Sequence, residues 1–148
     1  ACFSQWFPCR FQANGIVYKT AEHYMMASKA MLFDDHEILE EILKAESPNE
    51  AKSLGRKVKN FDPQVWDEHK YEIVMQANIL KFAQNQELKD FLLSTGDRII
   101  VEASPYDRIW GIGMLESDHR SKNPMLWNGE NLLGFALMEV RDVLKDQA

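Results

Sequence analysis

Three stretches of the chain read as neither plain core nor plain surface. In Thr20-Ala21-Glu22-His23-Tyr24-Met25-Met26-Ala27-Ser28-Lys29, Glu22 and His23 fall in the first turn of a helix, and Lys29 lies two turns after Glu22 on nearly the same face. A carboxylate at that end is favoured by the helix dipole, so Glu22 reads either as a dipole complement or as a catalytic carboxylate. His23 reads as a surface or core-edge histidine, or as part of a site. The four histidines, His23, His36, His69 and His119, show no HxxxH or HxH spacing, so no metal is expected.

The second stretch is Glu102-Ala103-Ser104-Pro105-Tyr106-Asp107-Arg108-Ile109-Trp110-Gly111-Ile112-Gly113. A Pro turn after a strand end, carrying aromatics, acids and an Arg, has the make-up of a site loop on a rigid scaffold. It also reads as a tight turn anchored by a buried Trp. The two Gly are no dinucleotide fingerprint, since Glu116 stands at the third Gly position. They read as permissive backbone beside a flat ligand. The third stretch, Glu116 to Asn131, is too long for a simple connection and is expected to be mobile or functional, a possible lid. Trp127 within it is read as a packing anchor or, alternatively, a stacking residue.

Helices must position these groups. Thr20 caps a helix over 21–32. Asp34-Asp35 open a second, with Ile38 and Ile42 on its apolar stripe. Ser47-Pro48-Asn49-Glu50 is a capping box with Pro at the first helical position, and the short helix it starts runs through Lys52, Arg56, Lys57 and Lys59 with Gly55 inside. Asp62-Pro63 opens the longest helix, to about Gln84, with Val65, Trp66, His69, Ile73, Val74, Ala77 and Leu80 as its expected buried side. A helix over 85–94 ends at Thr95-Gly96-Asp97. The β-branched run 98–103 predicts a strand. Asn14-Gly15 predicts a hairpin turn pairing 15–19 with Phe11 and its neighbours. The last helix, 132–145, buries Leu133, Ala136, Leu137, Val140 and Leu144. The expected fold is therefore mainly α, a compact single domain over 1–148 with a few short strands.

Composition narrows the function. With 17 Lys and Arg against 23 Asp and Glu, the net charge of −6 argues against a binder that neutralises nucleic-acid phosphates indiscriminately, while leaving recognition of one phosphate open. No apolar run reaches the roughly 18 residues of a membrane span, and no basic-then-apolar leader is present, so a cytoplasmic protein is expected. Cys2 and Cys9 lack metal-ligand spacing and are expected to be free thiols. Ala1 in place of Met is expected of a processed or trimmed chain.

Phe3-Ser4-Gln5-Trp6-Phe7-Pro8, Glu22 to Ala30, Ser47 to Arg56, Thr95-Gly96-Asp97, Glu102 to Gly113 and Asn131-Leu132-Leu133-Gly134 together resemble the NADAR family, also called YbiA-like. The match runs in order over essentially the whole chain. The resemblance implies a compact, mainly helical fold and hydrolysis of N-glycosidic bonds without a cofactor. Bacterial YbiA members act on the reactive ribosylamino-pyrimidine phosphates of early riboflavin biosynthesis, and other members remove ADP-ribose from modified guanine. It carries functional positions over to Glu22, Trp66, Asp107 and Trp110, and more weakly to Lys29 and Arg56. For Trp66, core packing remains an equal reading.

Cleavage of such a bond passes through an oxocarbenium-like state that needs a carboxylate to stabilise the cation or position water. Glu22 or Asp107 is expected in that role, with the other orienting water or the ribose hydroxyls. Trp110 and Trp66 would stack the base, and Arg56 and Lys29 would hold the 5′-phosphate of a small ribosylamine substrate. Two other readings stand beside this one: an ADP-ribosyl-guanine hydrolase, which the net charge disfavours without excluding, and a module that binds ADP-ribose or NAD without turnover.

Overall fold

The computed structural model describes residues 2–147 and divides into two compact units, residues 1–90 and 91–148. The first holds a hairpin, β1 (Phe11–Ala13) and β2 (Ile16–Tyr18), and the helices α1 (Ala21–Leu32), α2 (His36–Lys44), α3 (Pro48–Gly55) and α4 (Pro63–Ala83). Helix α5 (Gln86–Ser94) crosses the division in sequence, and α6 (Leu132–Asp146) belongs to the second unit. The mainly helical class is as the sequence predicts. Among the described residues no helix is long and apolar enough to cross a membrane.

The hairpin is antiparallel, with Phe11 opposite Tyr18 and Ala13 opposite Ile16. Its two-residue turn needs positive φ at both positions, which Asn14 (φ 53°) and Gly15 (φ 81°) adopt cheaply. Helix α1 is the centre of the first unit, because α2, α3 and α4 all pack on it. That explains its Ala- and Met-rich make-up: Ala21, Met25, Met26, Ala27 and Ala30 are all buried, so it has no broad wet face.

Caps set the helix starts. Ser47 Oγ accepts the Glu50 N–H at 3.1 Å, worth about 1 kcal/mol for such a cap. The Glu50 carboxylate reaches back to the Glu46 N–H rather than to that of the cap residue, so the box closes one residue early. Helix α3 ends at Gly55, and the basic run to Lys59 continues as turns rather than helix. Asp35 ties this run back to α2, its carboxylate accepting from the Ile38 N–H at 3.2 Å and the Lys59 N–H at 2.9 Å.

Helix α4 differs from its expected burial. Val74 and Ala77 are buried as predicted, but His69 is exposed and Val65, Trp66, Ile73 and Leu80 only half-buried, while Asn78 and Lys81 lie fully inside. The polar pair is buried because both reach the irregular segment before β1. Lys81 Nζ donates to the Ser4 carbonyl at 2.9 Å and Asn78 Nδ2 to Gln5 Oε1, also at 2.9 Å. Cys2 and Cys9 are free thiols.

In the second unit the predicted strand at 98–103 does not form. The segment has no regular secondary structure and no strand partner. The buried Asn131 takes that place, donating from Nδ2 to the Ile100 carbonyl at 3.0 Å and accepting the Glu102 N–H on Oδ1 at 2.9 Å. Residues 116–131 are not a bare loop; they hold two 3-10 turns, His119–Lys122 and Pro124–Leu126. Helix α6 buries Leu133, Ala136, Leu137, Val140 and Leu144 as predicted.

Candidate functional site

Because three helices cover α1, the polar groups in its first turn are forced inside. Glu22 is 7% exposed and His23 1%. A buried ion without partners costs several kcal/mol, so the partners define the site. Glu22 Oε1 accepts a hydrogen bond from the Trp6 indole N–H at 3.2 Å, and the Glu22 backbone N–H donates to the Gln5 carbonyl at 3.0 Å. His23 is no surface or core-edge histidine. Its Nε2 contacts the Ala45 carbonyl at 2.9 Å, and its Nδ1 contacts Thr20 Oγ1 at 2.7 Å. A carbonyl only accepts, so Nε2 carries the proton and Nδ1 takes that of the threonine.

Two turns on, the Lys29 ammonium lies 4.5 Å from the centre of the Phe61 ring and 5.6 Å from that of Trp66. Burial pulls the Lys29 ammonium below its ordinary pKa, Glu22 opposes this, and Arg56 adds to it. Glu22, Lys29 and Arg56 therefore share one electrostatic field. From α3, Lys52 stands one turn before Arg56, its ammonium 5.9 Å from the Trp6 ring. Gly55 makes this possible: a Cβ there would run into the Met26 side chain, so only glycine lets α3 approach α1 so closely.

The first unit thus brings together Glu22, Lys29, Arg56 and Trp66 as one cluster of carboxylate, cations and aromatic faces. Trp6, Lys52 and Phe61 join it. Composition and spacing assign these no role, although Trp6 stands within the family-like run Phe3 to Pro8 and Lys52 is one turn from Arg56. Cation–π contacts of this kind contribute about 0.5–2 kcal/mol each, and they leave the cations with unspent hydrogen-bond donors for an anion.

Asp107 and Trp110 lie in the second unit. Asp107 Oδ1 accepts the backbone N–H groups of Ile109 at 3.0 Å and Trp110 at 2.8 Å, so the carboxylate shapes the turn that presents the half-buried indole. The turn is fixed to the start of α6 by the Leu133 N–H, which donates to the Trp110 carbonyl at 3.1 Å. Gly111 is required by the chain's own backbone. A Cβ there would come within 2.8 Å of the Glu102 carbonyl and 2.9 Å of that of Asp107. Trp127 anchors its loop through an indole N–H bond to the Ser121 carbonyl at 2.7 Å. Its ring also walls a half-open cavity of about 470 Å³ with Ile99, Val101 and Ala103. Among the described residues no three His, Cys, Asp or Glu side chains converge as metal ligands would.

The NADAR domain model matches residues 1–145. The chain belongs to the NADAR family. It is similar to the N-glycosidase R617 of Acanthamoeba polyphaga mimivirus, 47% identical over 145 residues, covering 95% of this chain and 85% of that one. It is also similar to the riboflavin biosynthesis protein VVA0006 of Vibrio vulnificus, 32% identical over 145 residues, covering 98% of this chain and 36% of that protein. Among solved structures, the NMR structure of the E. coli protein YbiA superposes with a TM-score of 0.81 at 32% identity, covering 99% of this chain and 79% of that one. The NADAR match takes in residues of both units, Glu22 and Asp107 among them.

Proposed function

We propose that this NADAR protein is an N-glycosidase that hydrolyses ribosylamino-pyrimidine phosphates of the kind that begin riboflavin biosynthesis. The observation that carries the reading is the buried Glu22 carboxylate, oriented by an indole N–H and set in one field with Lys29 and Arg56. The names of similar proteins, an N-glycosidase and a riboflavin biosynthesis protein, support the reaction class and the substrate.

In this reaction the bond from ribose C1′ to the base nitrogen breaks and its electron pair leaves with the base. Positive charge then develops over C1′ and the ring oxygen. Glu22 stabilises that charge, and water adds at C1′, giving its proton to the departing amine and leaving ribose 5-phosphate. A carboxylate shielded from bulk water does this more strongly than an exposed one, since the low local dielectric magnifies its attraction for the cation. Arg56 and Lys29 hold the phosphate, and Trp66 offers a ring face to the substrate. In the second unit, Trp110 acts as a stacking residue, with Asp107 fixing its turn and orienting water or a ribose hydroxyl.

Lys52, a third cation beside Arg56, favours a second reading in which the anion is the diphosphate of ADP-ribose on guanine. The test is incubation with ribosylamino-pyrimidine phosphates and, separately, with ADP-ribosylated guanosine, followed by mass spectrometry. Release of ribose 5-phosphate supports the first reading and release of ADP-ribose the second. Binding of ADP-ribose with no product from either substrate sinks both.

A further inference from the structure

We propose that Trp6 is a positioning residue for Glu22: its indole N–H holds the carboxylate in the orientation that meets the anomeric carbon. The proposal rests on the N-glycosidase reading and deepens it.

The segment that carries Trp6 has no regular secondary structure, yet it is held at almost every residue. The Phe7 N–H closes a turn onto the Ser4 carbonyl at 3.2 Å, and the Trp6 N–H donates to Ser4 Oγ at 3.1 Å. The Ser4 carbonyl also takes the Lys81 ammonium, and Gln5 Oε1 takes the Asn78 amide, both donors being fully buried in α4. Two buried side chains of one helix are thus committed to holding an irregular turn in place. Burying a lysine for that end is costly, and packing alone would be served better by an apolar residue.

What the turn grips is Glu22, at both ends. Gln5 accepts the Glu22 backbone N–H and the next residue, Trp6, donates to the Glu22 carboxylate. Such double restraint suits a group that must be held within about 0.5 Å of its productive geometry. The choice of indole has its own chemical sense. Its N–H only donates and does not titrate near neutral pH, so it can hold a carboxylate without exchanging a proton with it, unlike His or Lys. The ring is 40% exposed and lies near the Lys52 ammonium, so Trp6 is not placed as a core anchor.

The experiment compares the wild type with Trp6→Phe, Trp6→Ala and Glu22→Gln in hydrolysis of the ribosylamino-pyrimidine phosphate, with melting temperatures measured alongside. Loss of a hydrogen bond to a charged group is expected to lower kcat in Trp6→Phe about tenfold or more, with KM within about twofold and melting close to wild type. A merely structural role would lower the melting temperature and leave kcat of the folded protein alone. Wild-type kcat in Trp6→Phe overturns the proposal and leaves the N-glycosidase reading standing. A wild type without turnover, or an active Glu22→Gln, overturns that reading itself and the proposal with it. A second readout does not depend on the folding of the Trp6 variants: the NMR signal of the Trp6 indole N–H should shift in Glu22→Gln, and an unmoved signal overturns the proposal.

Discussion

The imidazole of His23 joins the first turn of α1 to the residue that ends α2, its Nε2–H donating to the Ala45 carbonyl at 2.9 Å. Burial lowers the pKa of His23 from its ordinary 6.5, outweighing the opposing effect of the Ala45 carbonyl. A histidine whose folded pKa is depressed binds its proton more readily in the unfolded chain. Its stabilising effect is therefore complete above the ordinary value and is lost as pH falls below it. The expected slope reaches about 1.4 kcal/mol per pH unit at most, the effect of one proton. Calorimetric melting at pH 7.5 and pH 5.5 checks this: the acid loss should shrink in His23→Gln, and an equal loss in both proteins would assign it elsewhere.

Gly55→Ala is expected to destabilise the first unit by about 1–3 kcal/mol, the usual cost of overpacking. The added methyl meets the Met26 side chain, itself buried in α1, so either that side chain repacks or α3 moves off α1, taking Lys52 and Arg56 with it. Urea unfolding reads the stability. Met26→Ala in the same chain should restore part of the loss, since it vacates the space the methyl needs.

Asp107 separates a turn-forming role from a need for charge. Asp107→Asn keeps an acceptor for the Ile109 and Trp110 N–H groups and should stay within about 0.5 kcal/mol of wild type. Asp107→Ala should cost about 1 kcal/mol, as loss of a side-chain cap does. The NMR signal of the Trp110 indole N–H reports the turn separately from the chain's three other tryptophans. If the Asn variant loosens it as much as Ala does, the two hydrogen bonds to Asp107 Oδ1 are not what holds it.

Lys29→Gln and Arg56→Gln should each weaken binding of ribose 5-phosphate about tenfold, equivalent to about 1.4 kcal/mol, while Lys57→Gln, beyond the end of α3, should leave it unchanged. Calorimetric titration distinguishes these. Since burial already lowers the pKa of Lys29, phosphate binding should also weaken at a lower pH than it would for a solvated lysine, as that ammonium loses its proton.

Much of this was legible in the chain. Ser47-Pro48, Asp62-Pro63 and Asn14-Gly15 mark their elements because each motif satisfies local backbone demands with no help from distant residues. Glu22, Lys29 and Arg56 were legible as residues, and Lys29 was already placed on nearly the face of Glu22. Trp6 was not, because it precedes the first element and no periodicity points it at Glu22. The burial of Asn78 and Lys81 is not legible for a related reason: it is set by carbonyl and amide groups more than seventy residues away in sequence, as the Ser4 and Gln5 bonds show. The run 98–103 predicts a strand because β-branched residues suit extended backbone, yet no strand forms there. Whether a strand lies beside it is a tertiary fact that propensity does not contain.

Asn131 supplies what that absent neighbour would have given. One side-chain amide, donor and acceptor together, imitates a single peptide unit of an adjoining strand. Its backbone is left-handed, φ 53°, and a Cβ at Gly134 would collide with its amide. A ladder fails rung by rung, but a mimic of one peptide unit fails all at once. Arg141 holds the Arg98 carbonyl at 2.8 Å on one side and the Ile112 N–H holds the Glu102 carbonyl at 2.9 Å on the other, so releasing Asn131 frees Ile100 while both flanks of the segment stay tied.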